Sequence, residues 1–489
     1  MKLTSINIKN FRSIDDITFE IHSVDSGYTY SLIGVNESGK SSFLKAVSAV
    51  LNNEEIVYDK DFLNPNFPIN ITLNYQLTLD EEKNLANKLV EFGFEAELLG
   101  FVKIKNIAIS AKFNPTPNTQ KEVLEHVDFE NIIIKQYTLQ NGKPIKQEGE
   151  QEQEDLNLEA FFENSLPNYF RGLAHGIVFW KSDSKYLVTE RINLTSFASS
   201  LDNISIPLVN CFALAEINKE NIQSQINKLQ DNPAEINNLA ERLSDNVTAH
   251  IKNVWKNHPI KIKFQISFPY LFFLVDDEKV KYQSKTTAQR SDGFRQFLSF
   301  LLTISAENAT NNLADTLLLL DEPETHLHPR AQEYLMDELI EITKGVGNNV
   351  VIFATHSNHM IDKEHIERCY RVSKNERDKT MLQRIELGKT TYAEVNYEVF
   401  DIIDSDYHNE LYGYLEAEHK DALHNLPLEK TWWNEKKKNE EKVSLPTYIR
   451  HSIHHPENTK NKKFTEKELK KSIELLRGLK QENSKVKVE

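Results

Sequence analysis

Apolar and polar residues alternate over positions 3–9 and 17–22, as in Leu3-Thr4-Ser5-Ile6-Asn7-Ile8, which predicts a half-buried hairpin. Tyr28 to Ile33 reads as a strand running into a glycine-bearing loop. Beyond the loop, Phe43, Leu44, Ala46, Val47, Val50 and Leu51 fall at helical spacing, so the order is strand, loop, helix. Alternation returns at 70–77 and 103–112, followed by a Glu- and Gln-rich stretch, Gln147 to Asp155, that predicts an exposed loop. From about 195 to 255 the pattern turns helical, with Ile222, Ile226, Leu229, Ile236, Leu239, Leu243 and Val247 at spacings of three, four or seven. These heptads are too few and irregular for a long coiled coil and predict a modest helical arm. Strand character at 260–283 precedes a helix around 291–306. Two short apolar strands follow at 316–320 and 350–354, with further strands near 367–372 and 380–386. Beyond about 395 the chain reads as mainly helical, with a lysine-rich break at Lys436-Lys437-Lys438.

Composition adds little to this α/β picture. Hydrophobic residues make up 39% and charged residues 27% of the 489, enough for two or three domains with sizeable cores. The segments divide as 1–85 and 259–395 for the two parts of one α/β head, 86–258 for an inserted mixed and helical arm region, and 396–489 for a helical C-terminal domain. No apolar run reaches the ~18–20 residues of a membrane span. Met1-Lys2-Leu3-Thr4-Ser5-Ile6 lacks the basic-then-apolar signature of a signal peptide, and Cys211 and Cys369 are too few for a disulfide framework, so a cytoplasmic location is expected. The net charge of −15 is uneven. Residues 430–489 carry 16 Lys and Arg against 9 Asp and Glu, a balance of +7 that leaves −22 for residues 1–429. The basic end is a candidate contact for nucleic acid or an acidic partner, or simply a solvated helical face.

The strand–loop–helix at the N-terminus carries the first chemistry. Gly34-Val35-Asn36-Glu37-Ser38-Gly39-Lys40-Ser41 fits GxxxxGK[ST] at every required position. Its glycines let backbone N–H groups converge on phosphate oxygens at the positive end of the following helix. Lys40 would reach the β- and γ-phosphates and the Ser41 hydroxyl would ligate Mg²⁺. Leu317 to Leu320 form a buried-strand run ending in Asp321-Glu322-Pro323. Asp321 is placed to hold the Mg²⁺ shell, and Glu322, pointing elsewhere, to polarise the attacking water. A second apolar strand, Val350 to Ala354, ends in Thr355-His356-Ser357, where His356 would sense the γ-phosphate or orient water.

With these motifs in this order the chain resembles the ABC-ATPase superfamily, and within it the RecF/SMC-like and OLD-like branch. Ile8-Lys9-Asn10-Phe11-Arg12-Ser13-Ile14 is similar to that branch's N-terminal strand and turn. Asp321-Glu322-Pro323-Glu324-Thr325-His326-Leu327-His328-Pro329 is similar to its Walker B motif and D-loop. Ser291-Asp292-Gly293-Phe294-Arg295-Gln296 sits where the signature segment belongs, keeping only a Ser and a Gly of the LSGGQ form. The likeness covers roughly residues 1–75 and 285–390. It implies an ABC-ATPase head binding ATP and Mg²⁺, with Arg12, Gly34, Asn36, Glu37, Ser38, Gly39, Lys40, Ser41 and Ser42 on the nucleotide. It implies Glu322 and His356 as catalytic residues, Ser41, Asp321 and a Q-loop residue, Gln76, near the metal, and Ser291 and Gly293 closing the site of another protomer. One chain holds one phosphate loop and one signature segment, so two complete sites need a homodimer or a higher homo-oligomer. The likeness further implies a regulatory ATPase of anti-phage defence, similar to Septu-like or PARIS-like systems, controlling an effector from a neighbouring gene. RecF-like DNA repair is a less favoured alternative.

Two matches lie in the C-terminal third. Asp404-Ser405-Asp406 has the letters of a TOPRIM Asp-x-Asp but no apolar strand before it, and reads as coincidence. Arg450 and His455, in Tyr448-Ile449-Arg450-His451-Ser452-Ile453-His454-His455, have the R-x4-H spacing of HEPN ribonucleases. They offer an alternative function, ATPase-gated RNA cleavage with Arg450 on the scissile phosphate and His455 as acid or base. The other reading of this region is a helical docking domain.

Overall fold

The computed structural model describes residues 1–485 apart from 53, 118, 148–153, 182–183, 231, 255–259, 279–282, 291, 310–313, 346 and 386–390. The acidic stretch expected as a loop therefore lies mostly outside the described residues, as does Ser291. The chain forms two compact units, Met1–Glu386 and Leu387–Glu489.

The first unit is built on two large sheets. One has five antiparallel strands in the order Ile14–Glu20, Lys2–Phe11, Ile69–Gln76, Ile104–Phe113 and Lys121–Phe129. The predicted hairpin is its first pair, with Ile8 opposite Ile17 and Ile6 opposite Phe19. The second sheet runs Gly176–Lys181, Thr316–Asp321, Val350–Thr355, Thr29–Ile33, Cys369–Lys374 and Thr380–Arg384. Its first five strands are parallel and the last is antiparallel to its neighbour. Parallel strands covered on both faces read as unbroken apolar runs, which is why Leu317 to Leu320 are all buried. Leu317 and Leu319 face the antiparallel sheet across the helix Lys40–Ser48, sharing a core with Ile6, Ile8, Phe43 and Val47. Leu318 and Leu320 belong to a core on the opposite face.

Helices of the inserted region supply that second core. Ile206–Leu214, Lys219–Asn227 and Pro233–Val254 bring Leu208, Phe212, Ile222, Leu243 and Val247 into it, so the helical stretch packs back on the head. Each such side chain removed from water is worth about 2 kcal/mol, and a stripe of this length is more stable folded onto a sheet than projecting from it. The strands Ile260–Ser267 and Tyr270–Asp277 pair antiparallel, and the helix Asp292–Ala309 follows.

The second unit gathers the helices Tyr392–Phe400, Ser405–Glu418, Leu445–His454 and Glu466–Lys485 around Leu411, Leu415, Ile449, Ile473 and Leu476. The lysine-rich break is a turn, because Lys430–Asn434 and Asn439–Val443 pair as an antiparallel hairpin around it. Asn434 Oδ1 accepts from the N–H groups of Lys436 and Lys437, closing the turn locally. Asp404 caps the helix Ser405–Glu418, its carboxylate accepting from the Tyr407 N–H, so the Asp-Ser-Asp run is a helix start.

Candidate functional site

In the parallel sheet Ala354 pairs with both Asp321 and Leu32, and Thr355 with Ile33. The phosphate loop, Asp321-Glu322 and His356 therefore leave the carboxyl ends of three adjacent strands, the edge where open α/β sheets place ligands. Ser41 Oγ donates to Asp321 Oδ1 at 2.8 Å, and Glu322 Oε1 lies 3.0 Å from His356 Nε2.

The loop needs both of its glycines. A Cβ on Gly34 would stand 2.1 Å from the Val372 carbonyl oxygen. Gly39 has φ +115°, and a Cβ there would stand 2.3 Å from Thr380 Oγ1. Thr380 braces the loop, donating to the Ser38 carbonyl at 3.0 Å and contacting Ser13 Oγ at 2.8 Å. Lys40 is only 4% exposed, with Nζ donating to the Gly34 and Val35 carbonyls at 3.0 Å each. Burial lowers its pKa to about 8, against the carboxylates of Glu322, Asp321 and Glu324, which favour the charge. The Ser38 hydroxyl is buried without a partner among the described residues. An orphaned donor, a loop that excludes Cβ atoms and a desolvated cation together fit a nucleotide's phosphates. Ser41 and Asp321, already within hydrogen-bond distance, fit a Mg²⁺ ion that completes its shell with water and phosphate oxygens.

The carboxylates are held differently. Burial raises the pKa of Asp321, and the charge of Glu322 adds to this, while the Ser41 hydroxyl opposes it. Glu322 moves the other way, its pKa lowered mainly by the hydrogen bond with His356. Its φ of 50° turns the side chain out of the strand's alternation, so Asp321 and Glu322 serve different points. Glu324, not among the predicted site residues, is buried beneath them. Its Oε1 accepts from the Thr355 hydroxyl and, at 3.2 Å, from the His356 N–H, which fixes the backbone that carries the histidine. Asp61 was also missed. It accepts from Arg12 Nε at 2.7 Å and Lys45 Nζ at 3.1 Å, and these bonds with that from Val57 N–H outweigh burial and lower its pKa. This holds Arg12 beside Ser42, 3.4 Å from Nη1 to Oγ.

Asn36 and Glu37 lie in the loop as expected, Glu37 with φ 63°. Gly293 lies in the first turn of Asp292–Ala309, where a Cβ would stand 2.1 Å from the His326 carbonyl oxygen. Gln296 donates to the Glu322 carbonyl at 3.3 Å, so this helix is seated on the turn that follows Asp321. Gln76 is not brought to the site. It ends its strand opposite Lys2, and Met1 beside it accepts from Asn348, at the amino-end edge of the parallel sheet. The strand runs antiparallel to Lys2–Phe11, so its last residue, opposite Lys2, lies roughly 30 Å from the Phe11 end.

In the second unit Arg450 is engaged structurally. Its guanidinium bonds Glu416 at 3.0 Å and covers the Tyr412 ring at 4.5 Å. His455 ends the same helix and lies 3.2 Å from Glu457. Among the described residues Arg450 and His455 have separate carboxylate partners, Glu416 and Glu457.

A family model described as AAA ATPase domain matches residues 1–361. An uncharacterised protein of Methanocaldococcus jannaschii is 29% identical over 141 residues, 27% of this chain and 35% of that protein. The Old nuclease of Escherichia phage P2 is 22% identical over 437 residues, 83% of this chain and 66% of that protein. The chain thus spans about a third of the first relative and just under two thirds of the second. Among solved structures, an Smc head bound to the C-terminal winged-helix domain of ScpA is 13% identical with a TM-score of 0.42, covering 79% of this chain and 98% of that one. The SMC head domain from Thermotoga maritima is 13% identical with a TM-score of 0.36, covering 79% and 100%. No helix among the described residues is long and apolar enough to cross a membrane.

Proposed function

The chain belongs to the AAA ATPase domain family, and from that premise we propose that it hydrolyses ATP in sites closed by a second copy of itself and uses the ATP-bound assembly to control an effector protein of a bacterial antiviral system. The observation that carries the reading is the convergence of Lys40, Ser41, Asp321, Glu322 and His356 on one sheet edge. Lys40 and the loop N–H groups bind the phosphates. Glu322, kept ionised by His356, accepts a proton from the water that attacks the γ-phosphorus. Mg²⁺ held by Ser41 and Asp321 would neutralise charge on the phosphate oxygens.

The need for a second chain rests on arithmetic and placement. Each chain has one phosphate loop and one segment Ser291–Gly293, and Gly293 is seated against its own His326. In the resemblance drawn from the motifs, that segment closes the site of another protomer. The antiviral role and the effector from a neighbouring gene rest on the OLD-like order of the motifs, together with the distant likeness to the Old nuclease. The alternative ribonuclease built on Arg450 and His455 is less favoured, because Arg450 is held in an ion pair with Glu416 and over the Tyr412 ring.

Sedimentation of Glu322→Gln with and without ATP tests the reading. The expected result is a monomer that becomes a dimer or larger assembly with ATP and reverts when ATP is removed. Identical sedimentation in both conditions, with ATP demonstrably bound, would overturn the shared-site proposal.

A further inference from the structure

We propose that the C-terminal unit binds single-stranded nucleic acid in a groove made of a lysine-lined wall and an adjoining base-sized cavity that share Lys463. This goes beyond the ATPase reading and does not depend on it.

The wall is a recess of about 680 Å³ lined by six lysines and only two glutamates. Lys430 is paired with Glu468 at 2.5 Å and Lys471 with Glu429 at 3.6 Å. Lys462, Lys463, Lys467 and Lys470 are exposed and have no carboxylate partner among the described residues. In a protein of net charge −15 such a concentration is a local reversal of sign. Like charges gathered around a concavity repel one another, and a phosphodiester backbone relieves that repulsion.

The cavity, of about 460 Å³, is lined by Trp432, Ser452, His455, Asn458, Phe464 and the shared Lys463, with others. Asn458 is 9% exposed, and its Nδ2 donates to the Trp433 carbonyl at 2.9 Å. That bond fixes the amide, and Oδ1 is left buried with no partner among the described residues, as is the Ser452 hydroxyl. A buried acceptor without a donor costs about 1–3 kcal/mol, so the cavity is suited to a ligand that brings N–H groups into a partly aromatic slot. An unpaired nucleobase does so, offering a flat face to Phe464 or His455 and N–H groups on its edge. A duplex would keep that edge occupied by its partner strand. An acidic peptide would satisfy the lysines but does not pair each negative charge with a flat ring, as successive nucleotides do.

Fluorescence anisotropy on the full chain tests this, using a labelled 20-nucleotide RNA, a DNA strand of the same sequence and the corresponding DNA duplex, with inorganic polyphosphate as competitor. Binding of either single strand at least tenfold tighter than the duplex is expected. The combined variant Lys463→Glu, Lys467→Glu, Lys470→Glu should weaken it at least tenfold and flatten the salt dependence by about 2 log units per log unit, given ~0.7 per phosphate contact. ATP turnover should be unchanged in that variant, which separates this proposal from the ATPase reading. His455→Ala should weaken single-strand binding without altering polyphosphate competition. Wild-type affinity in the lysine variant, or duplex bound as tightly as single strands, would overturn the proposal.

Discussion

Glu322 Oε1 stands 3.0 Å from His356 Nε2, joining the ends of two neighbouring parallel strands through a carboxylate and an imidazole. The bond sets the protonation of the carboxylate, since the histidine is the main cause of its lowered pKa and burial works against it. A base must be ionised to act, so activity should be present above that lowered pKa and lost as pH falls through it. In His356→Ala the acid limb of the pH–kcat profile should move upward, because burial remains and the stabilising donor is gone. Glu322→Gln should lower kcat by about 10²–10⁴ with ATP binding retained. Steady-state hydrolysis across pH checks both. An unshifted acid limb in His356→Ala would remove the histidine from this role.

Lys40 gives a second pH signature. Burial lowers its pKa to about 8, and bound phosphates would raise it. Above that value the free protein has a largely neutral lysine that must take up a proton to bind ATP. Affinity should therefore fall as pH rises through about 8, and calorimetry in buffers of different ionisation enthalpy should show up to one proton taken up. Lys40→Ala should lose most of the affinity and all of the proton uptake.

The phosphate loop is stiff by construction. Gly39→Ala would force a side chain into φ +115° and into Thr380 Oγ1, so it should lower stability by about 1–3 kcal/mol and abolish nucleotide binding. Adding Thr380→Ala to that variant removes the two nearest clashing atoms, Oγ1 and Cγ2, and should restore part of the stability. Thermal unfolding of the two variants measures this, and equal Tm values would show that Thr380 is not the obstacle.

The sequence carried the parts of this site that local pattern can carry. Leu317 to Leu320 announce a strand buried on both faces, and Asp321-Glu322 its end, because that run needs no partner to be recognised. Gln76 shows the limit: alternation identified its strand, but which end points to the nucleotide depends on pairing with Lys2, seventy-four positions away. Asp61, Glu324 and Thr380 were invisible for the same reason, since each acts through residues brought near only by the sheets. The hairpin around Lys436–Lys438 was hidden by charges that resemble a solvated helix.

Arg450 and His455 show what spacing alone leaves open. Residues five apart on a helix are ~140° apart around its axis, so R-x4-H does not by itself place two side chains on one face. Arg450 instead closes the unit's core, covering Tyr412 and pairing with Glu416. Arg450→Met keeps the length of the side chain but loses the ion pair and the cation–π contact, and should destabilise the C-terminal unit by about 1–2 kcal/mol. Glu416→Ala should cost less, because it removes the ion pair and leaves Arg450 packed over the Tyr412 ring. Tryptophan fluorescence unfolding reports on this unit through Trp432 and Trp433. RNA binding in Arg450→Met should match wild type while the unit stays folded, because the arginine lines neither the lysine wall nor the cavity beside it. A selective loss of RNA affinity at full folding would return Arg450 to the list of ligand contacts.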